Sequence, residues 1–405
     1  MKILLIDNFH YIRGGAEAVY FNMARMFVQA GHEVVFFSCK SNRNLEYGSN
    51  DYFVTANTDV NPIVGAMRYI YNGSAARALK RLIAEHKPDI AHLHLFWCGL
   101  STSIVKTLKQ HKIPIVHTAH DYRMICPAYL LRQPDGTICH SCFGGNYLHC
   151  IKNRCSKGKL LQSTLMSLEF YIRNAILRPL EAIDGYLFVS HFSKNMHLEA
   201  MPFFATKPTL VAYNAIEPLP QNAISDAMGN YYLYFGRLSH EKGLTTLIKA
   251  FNNLPHLHLK VVGEGVMAEE LKAMAASNIE FCGYQSGDTL KQSIRNSKAI
   301  IVPSECYENN PMTIIEASMA GVPTIGSRLG GIPEIIVEGK TGFTFTPKSA
   351  SELADAVTKF ETLTAEQYSE MSNNCRQFAF ENFSEQALYT KIMQFYTSIL
   401  KSYES

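Results

Sequence analysis

The chain has 405 residues, more than one ordinary hydrophobic core serves, so two domains are expected. Hydrophobic residues make up 47% and charged residues 18%, which excludes disordered, collagen-like and coiled-coil proteins. The net charge of only +3 argues against a dedicated nucleic-acid-binding protein.

The first residues do not have the pattern of a secretory signal. MKILLID reaches an acid at Asp7, too early for the apolar core of a signal peptide. No apolar run approaches the roughly 20 residues that a membrane span requires. We therefore expect a cytoplasmic protein whose ten cysteines are mostly reduced thiols or metal ligands.

Short apolar runs alternate with longer amphipathic runs through the first half, a pattern typical of parallel βαβ units. Strands are predicted at 2–7, 33–38, 90–93, 113–117 and 186–189. Helices are predicted at 15–31, 65–86, 100–111 and 160–183. Proline and asparagine residues interrupt the pattern near 211–220 and predict a linker.

A second alternating series follows the linker. Its strands are predicted at 231–235, 257–262, 279–281, 299–302 and 324–326. Its helices are predicted at 243–253, 266–276, 289–296 and 312–319, and residues 351–405 have only helical periodicity. The sequence thus predicts an α/β protein with two doubly wound parallel sheets and a cleft between them. The predicted bounds are 1–212, with a Cys-rich insertion at about 124–158, then 213–382, then a C-terminal helix at 383–405.

Charge is distributed unevenly along the chain. Residues 1–190 contain 21 Lys and Arg against 13 Asp and Glu, a net of +8, which leaves −5 for the remainder. The basic residues are densest at Lys152, Arg154, Lys157, Lys159, Arg173 and Arg178. This pattern is consistent either with a solvated face or with a surface that meets anionic lipid or an acidic acceptor.

A strand, a loop and a helix are predicted within VPSECYENNPMTIIEASMAGVPTI at 302–325. Glu308 lies on the loop and Glu316 inside the helix, eight positions later. Thr313 and its neighbours lie at the helix start, where free backbone N–H groups can hold a phosphate.

Two further motifs follow predicted strands. FGRLSHEKG at 235–243 places Arg237 and Lys242 just beyond a strand end, and RGGAE at 13–17 joins the first strand to the first helix. Each fragment is a weak signal, but their order and their placement at strand ends in both halves are specific.

These motifs resemble those of the family 4 glycosyltransferases, retaining nucleotide-sugar enzymes with two facing Rossmann-like domains, the GT-B fold. The resemblance covers nearly the whole chain. It rests on GGAE at 14–17, HTAHD at 117–121, GRLSHEKG at 236–243 and the pair Glu308/Glu316. It implies an acceptor-side N-terminal domain and a C-terminal domain that binds the nucleotide sugar.

The resemblance also implies roles for individual residues. Glu316 would accept hydrogen bonds from both ribose hydroxyls, and Glu308 would hold hydroxyls of the transferred sugar. Arg237 and Lys242 would face the diphosphate and supply the counter-charge, so that catalysis needs no metal. The implied nucleotide-sugar contacts are Gly14, Gly15, Arg237, Lys242, Glu308, Asn310, Met312, Thr313 and Glu316.

The sequence departs from the family pattern after the first glutamate. Asn309, Asn310 and Pro311 stand where the family usually has glycine and aromatic residues. Pro311 has no N–H, but its fixed φ suits the start of a helix, so the phosphate site would keep all but one donor.

His120 follows a predicted strand and lies in HTAHD, which implies a place at the reaction centre. The predicted catalytic set is therefore His120, Arg237, Lys242 and Glu308. For His92 and His94, which also end a strand, a hydrogen-bonded structural role is the favoured interpretation.

Other functions fit the sequence less well. Glu308 and Glu316 make a poor glycosidase pair, because eight helical residues rise about 12 Å and retaining hydrolases need carboxyl groups about 5 Å apart. A sugar-nucleotide epimerase or phosphorylase shares the architecture, and a zinc-dependent non-enzymatic binding protein is the remaining alternative.

Five cysteines lie within 126–155. Cys139 and Cys142 have zinc-knuckle spacing, and Cys150 with Cys155 would complete a tetrahedral site. A structural zinc is the first expectation, then buried thiols, then disulfides. The cysteines elsewhere in the chain are interpreted as core residues.

The predicted helix at 160–183 carries an apolar set together with Arg173 and Arg178. That set is Leu161, Leu165, Leu168, Ile172 and Ile176. Packing on its own domain is one interpretation. The other is peripheral contact with an anionic membrane at the inner face of the cell membrane, which would suit a glycan or lipid-linked acceptor.

Overall fold

The computed structural model of the chain describes residues 1–47, 51–217 and 229–404. It divides into two compact units, one of residues 1–212 with 388–405 and the other of residues 213–387. The linker predicted near 211–220 extends past residue 217 and so lies partly outside the described residues.

The first unit is built on a seven-stranded parallel sheet, in the order β3-β2-β1-β4-β5-β6-β7. Its strands are β1 Lys2–Ile6, β2 Glu33–Cys39, β3 Asp51–Val54, β4 Ile90–Leu93, β5 Ile115–Ala119, β6 Gly185–Phe188 and β7 Thr209–Val211. Runs such as KILLI and VVFF are almost fully buried, as expected for strands covered by helices on both faces.

Helices connect these strands and cover the sheet. They are α1 Gly15–Gln29, α2 Pro62–Ile70, α3 Gly73–His86, α4 Ser103–Gln110, α5 Leu148–Lys152, α6 Leu160–Ile172, α7 Pro179–Ala182 and α8 His191–Ala200. The predicted helix at 65–86 is two helices, because Asn72 takes a non-helical conformation and its side chain caps α3 by accepting from the Ala75 N–H.

The second unit has a six-stranded parallel sheet, in the order β10-β9-β8-β11-β12-β13. Its strands are β8 Tyr232–Phe235, β9 Leu259–Val262, β10 Ile279–Gly283, β11 Ala299–Val302, β12 Thr324–Ser327 and β13 Gly342–Phe345. Its helices are α9 Leu244–Asn252, α10 Ala268–Met274, α11 Gly287–Arg295, α12 Met312–Met319, α13 Ala350–Glu361 and α14 Ala365–Phe383. Helix α15, Glu385–Glu404, begins in the second unit and lies mostly in the first.

Alternation along β8 shows how the second sheet is covered on both faces. Tyr232 and Tyr234 belong to one hydrophobic cluster, with residues of α9 and α13. Leu233 and Phe235 belong to the other, with residues of α12 and α14. Side chains that alternate in direction thus bury both faces and fix the register of the central strand.

The predicted helix at 160–183 is interrupted. Helix α6 ends at Ile172, residues Arg173–Leu177 form a π-helical turn, and Arg178 takes a left-handed conformation with φ of 43°. Pro179 then begins α7, because a proline has no N–H to continue the preceding ladder.

Candidate functional site

The loop between β11 and α12 holds the partly buried carboxylate at the centre of the candidate site. Glu308 Oε1 accepts a hydrogen bond from Ser304 Oγ at 2.7 Å and an ion-paired hydrogen bond from Lys242 Nζ at 2.6 Å. Ser327 fixes the start of this loop, because its hydroxyl donates to the Ser304 carbonyl at 2.7 Å. Glu308 is therefore oriented before any ligand arrives.

Lys242 reaches this loop from the single-turn 3-10 helix that follows β8, residues His240–Lys242. Gly243 makes the approach possible: its φ is +70°, and a Cβ there would lie 1.9 Å from the Pro303 carbonyl oxygen. Burial alone would lower the pKa of Lys242, but Glu308 raises it above its usual value. Both members of the pair are charged at neutral pH.

Burial alone would raise the pKa of Glu308, but the Lys242 ammonium and the Ser304 hydroxyl outweigh it and lower the pKa. The carboxylate stays ionised and keeps its second oxygen as an acceptor. Such a group suits neutral hydroxyl donors and repels anions.

Two glycines after β12 support the same loop, and the sequence analysis did not single them out. The Gly331 N–H donates to the Glu308 carbonyl at 2.7 Å, and a Cβ at Gly331 would lie 2.0 Å from the Asn309 carbonyl oxygen. At Gly330, with φ of +64°, a Cβ would lie 2.5 Å from the Glu308 carbonyl oxygen. The GG dipeptide shortly after a strand was the available signal for this close backbone approach.

The loop is also tied to Asn214, which lies within the predicted linker. The Asn214 N–H donates to Asn310 Oδ1 at 2.7 Å, and Asn214 Nδ2 donates to the Asn310 carbonyl at 3.0 Å. Both asparagines are buried. In this structure the Asn310 side-chain oxygen therefore holds Asn214, and the role implied for Asn310 toward the nucleotide sugar stays a prediction.

Helix α12 begins at Met312, with Pro311 as its N-cap residue at φ −68°. The N–H groups of Met312 and Thr313 have no acceptor within the helix, because they belong to its first turn. Glu316 is the fifth residue of α12 and is partly buried. Burial raises the pKa of Glu316 to about 7, against a smaller opposing effect of Lys291.

Arg237 differs from Lys242. Its side chain is 73% exposed and lies 3.6 Å from Glu241 in an ion pair between Nη2 and Oε1. An exposed pair of this kind contributes little to stability, so the Arg237 guanidinium can turn to a ligand at small cost. The structure thus joins Lys242, Glu308 and the start of α12 and places Arg237 on the loop directly after β8.

The remaining predicted residues lie in the first unit. Gly14, with extended backbone at φ −176°, is the N-cap residue of α1, and Gly15 is the first residue of that helix. A Cβ at Gly14 would meet only the Glu17 carboxylate, at 3.9 Å. Glu17 is buried near the Arg13 guanidinium, with 3.4 Å between Nε and Oε1.

His120 directly follows β5 in the first unit, and burial lowers its pKa to about 4. Its Nε2 is hydrogen-bonded to Nδ1 of His94 at 2.8 Å. The favoured interpretation of His94 as structural did not anticipate this contact. The motifs HLH and HTAH, which each end just beyond a strand, would have allowed it. Since these strands are adjacent and parallel, residues beyond their ends meet at one edge.

All five cysteines of the segment 126–155 line one small pocket, together with Leu131 and Phe143. Burial raises the pKa of Cys126 to about 11 and that of Cys142 to about 12. The described part of the chain contains no group of three or more His, Cys, Asp or Glu side chains arranged to hold a metal ion. Zinc at Cys139, Cys142, Cys150 and Cys155 stays a prediction, and it would require these thiols to rearrange.

Helix α6 and the π-helical turn do not have the orientation expected of a surface helix. Ser163, Ser167 and Glu169 are buried, whereas Leu161 and Ile176 are 83% and 73% exposed. Inclusion of Arg173 in the basic surface was wrong: it is fully buried, 3.5 Å from Glu169, and its Nη2 donates to the Arg123 carbonyl. Lys152, Arg154, Lys157, Lys159 and Arg178 are exposed as predicted.

None of the described helices combines the length and the apolar character needed to cross a bilayer.

Comparisons with known proteins account for both halves of the chain. Residues 13–218 match the family model of Glycosyltransferase Family 4, and residues 216–378 match that of glycosyl transferases group 1. An uncharacterized 42.6 kDa protein in the cps region of Klebsiella pneumoniae is 25% identical over 354 residues, 83% of this chain and 87% of that protein.

Two further similarities are informative. The lipopolysaccharide 1,2-N-acetylglucosaminetransferase of Salmonella typhimurium is 26% identical over 242 residues, 54% of this chain and 63% of the transferase. The crystal structure of Anabaena HepE in complex with UDP matches with a TM-score of 0.68 at 17% identity, covering 98% of this chain and 100% of that one. The predicted fold of two parallel-sheet α/β domains is confirmed.

Proposed function

Because the chain belongs to glycosyltransferase family 4, with the GT-B fold, we propose that it is a retaining enzyme that uses a nucleotide-diphosphate sugar. The acceptor would be a hydroxyl group of a glycan or a lipid-linked glycan, in the assembly of a surface polysaccharide. The Salmonella relative, a lipopolysaccharide sugar transferase, supports the acceptor class. HepE, crystallised with UDP, supports the donor class.

One observation carries the proposal. Glu308 is an ionised, partly buried carboxylate, oriented by Lys242 and Ser304 and followed four residues later by a helix whose first N–H groups have no acceptor in the helix. A sugar needs a hydroxyl acceptor, and its diphosphate needs N–H donors and cations. The loop and helix start offer both within a few residues.

The proposed reaction exchanges one bond for another on the same face of the sugar. The bond between the anomeric carbon and the diphosphate oxygen breaks, and the acceptor oxygen bonds to that carbon. The acceptor proton passes to the leaving diphosphate oxygen. Arg237, Lys242 and the N–H groups of Met312 and Thr313 would stabilise the negative charge that grows on the diphosphate.

The other predicted residues would position the donor. Glu316 would accept hydrogen bonds from both ribose hydroxyls, and Gly14 with Gly15 would offer backbone close to the diphosphate. His120 would lie near the transferred sugar.

A thermal-shift screen of nucleotide-diphosphate sugars tests the donor class, and mass spectrometry of the product with candidate acceptors tests transfer. We expect at least one donor to stabilise the protein and to lose its sugar to an acceptor. Conversion of the donor without an acceptor, or a requirement for free phosphate, would instead indicate an epimerase or a phosphorylase.

We further propose that the first unit contacts anionic membranes through its exposed basic and apolar residues. Lys152, Arg154, Lys157 and Lys159 precede α6, whose Leu161 is 83% exposed, and α2 beside it exposes Ile63 and Met67. Each basic residue near an anionic surface contributes roughly 1 kcal/mol, which suits transient, salt-sensitive binding.

Sedimentation with anionic liposomes at low and high salt tests this contact. Changing the four basic residues before α6 to Gln should weaken binding strongly. The matched control removes the same charge from exposed positions of the second unit, Lys249, Lys272, Lys340 and Lys348 to Gln. Equal losses in both variants, or no binding by the unchanged protein at low salt, would contradict the proposal.

A further inference from the structure

His94 and His120 follow neighbouring parallel strands, β4 and β5, and their imidazoles are hydrogen-bonded to each other. His94 Nδ1 lies 2.8 Å from His120 Nε2, and the planes of the two rings differ by only 21°. The ring centroids are 5.0 Å apart, so with 2.8 Å between them the two nitrogens lie close to the line that joins the rings, the geometry of a straight hydrogen bond.

Both imidazoles are neutral at physiological pH. Burial lowers the pKa of His94 well below its usual value and that of His120 to about 4. A neutral imidazole has one N–H and one lone pair, so the shared hydrogen bond fixes the tautomers of both rings together. Only two arrangements are possible, and they differ in which ring donates.

The other nitrogen of His94 decides between them. His94 is fully buried, and its Nε2 has no hydrogen-bond partner among the described residues. If His120 donated, His94 would carry its proton on Nε2 as a buried N–H without an acceptor, which native proteins rarely tolerate. If His94 donates from Nδ1, only a lone pair is left there.

The next histidine on the strand holds His94 from the other side. His92 is packed parallel to His94 at 4.7 Å between ring centroids, and its own nitrogens are bonded to Tyr396 of α15 and to Thr118 of β5. With both nitrogens engaged, His92 cannot rotate without breaking two buried hydrogen bonds. His94 is thus confined between a fixed ring and His120.

We propose that His94 is a positioning residue that donates its Nδ1 proton to His120 Nε2 and so fixes both the orientation and the tautomer of His120. His120 then carries its own proton on Nδ1, while its Nε2 lone pair is occupied. Neither nitrogen can take a proton from an acceptor hydroxyl, so His120 does not act as a general base. This inference rests on the proposed function only in giving His120 a place near the transferred sugar.

Nitrogen NMR of the histidine side chains tests the tautomer without any substrate. In the unchanged protein, labelled with 15N-histidine, we expect the His120 ring to be protonated on Nδ1 and bare on Nε2. The signals are assigned by their loss in His120→Asn. A His120 ring protonated on Nε2, or an equal mixture of tautomers, would overturn the proposal whatever the activity.

Variants of His94 test its effect on His120. His94→Leu should allow both tautomers of His120, whereas His94→Asn places an amide N–H close to the former Nδ1 and should restore one. His117→Leu is the matched control, because His117 is equally buried on the opposite face of β5, where its Nδ1 donates to the Leu93 carbonyl. An unchanged His120 tautomer in His94→Leu would refute the proposal.

Kinetics with the donor found by the screen separate positioning from binding. We expect His94→Leu to lower kcat about tenfold, the effect of one lost hydrogen bond, with KM for the donor within about twofold. His94→Asn should recover most of kcat. If His94→Leu does not fold, the spectrum of the unchanged protein and the His94→Asn variant decide the question. If no donor is turned over, the proposed function fails while the tautomer measurement still stands.

Discussion

Affinity for a nucleoside diphosphate should rise steeply with pH if Glu316 binds the ribose. In the free protein, burial raises the pKa of this carboxyl to about 7, so it is mostly neutral below that pH. Ribose hydroxyls donate to the ionised form and would therefore bring the pKa back toward the usual value of 4.5. Binding at pH 6 would then release close to one proton.

The size of the effect follows from these two pKa values. With a pKa of about 7 in the free protein and about 4.5 in the complex, affinity increases about 70-fold between pH 5 and pH 8. The same raised pKa favours the neutral carboxyl in the folded state. Stability of the unliganded protein therefore falls as pH rises from about 4.5 to about 7.

Calorimetry with UDP, in buffers of different ionisation enthalpy, measures both the affinity and the proton release. Glu316→Gln is the matched control, because it keeps the side-chain shape but cannot ionise. The phosphate groups of UDP also titrate in this range, but they do so equally with both proteins. Parallel pH dependences for the unchanged protein and Glu316→Gln would remove Glu316 from the ribose site.

Four other outcomes are expected. Arg237→Ala and Lys242→Ala should lower turnover more than donor affinity, since the two cationic side chains would stabilise charge that develops during the reaction. Unchanged turnover would exclude that role. His120→Ala should leave UDP affinity nearly intact in calorimetry while lowering transfer. Gly331→Ala should destabilise the protein by about 2 kcal/mol or more in thermal unfolding, because its Cβ would clash with backbone of the Glu308 loop. Elemental analysis after purification without added metal should find about one zinc per chain; free thiols and no metal would indicate buried cysteines instead.

Buried parallel strands were the most predictable part of the fold. Continuous apolar runs such as those of β1, β8 and β11 have no other stable place than between two layers of helices. Strands β3, β7 and β13 were missed, and each is a sheet-edge strand of only three or four residues. Asp51–Val54 and Thr209–Val211 are also only partly buried, which weakens the apolar pattern that marks a strand in the sequence. Gly342–Phe345 is mostly buried, but its GFTF sequence is too short to show a strand pattern.

Residue types of the candidate site were predictable, but their contacts were not. Lys242 and Glu308 were both expected to face a ligand, and neither spacing nor composition could show that they form an ion pair 66 positions apart in the chain. The same holds for Asn214 and Asn310, since both of their hydrogen bonds involve backbone groups. Such contacts depend on where the two loops end in space, which periodicity does not encode.

Helix α6 shows why an apolar stripe does not by itself indicate which side of a helix is buried. Arg173, next to its C-terminus, packs its guanidinium inside the unit. Its carbon Cζ lies 3.6 Å from the centre of the Phe170 ring and 4.5 Å from that of Trp97, and its Nε lies 3.5 Å from the Glu169 carboxylate. The polar side of helix α6 therefore faces the interior of the first unit. The side chains of Leu161 and Ile176 face outward and stay mostly in water. They therefore contribute almost nothing to the free energy of folding, because burial contributes about 25 cal/mol per Å² only for apolar surface that is removed from water. Any stabilisation from those two side chains must come from a partner, which is why an anionic membrane, matched to the basic residues just before the helix, is the partner to test.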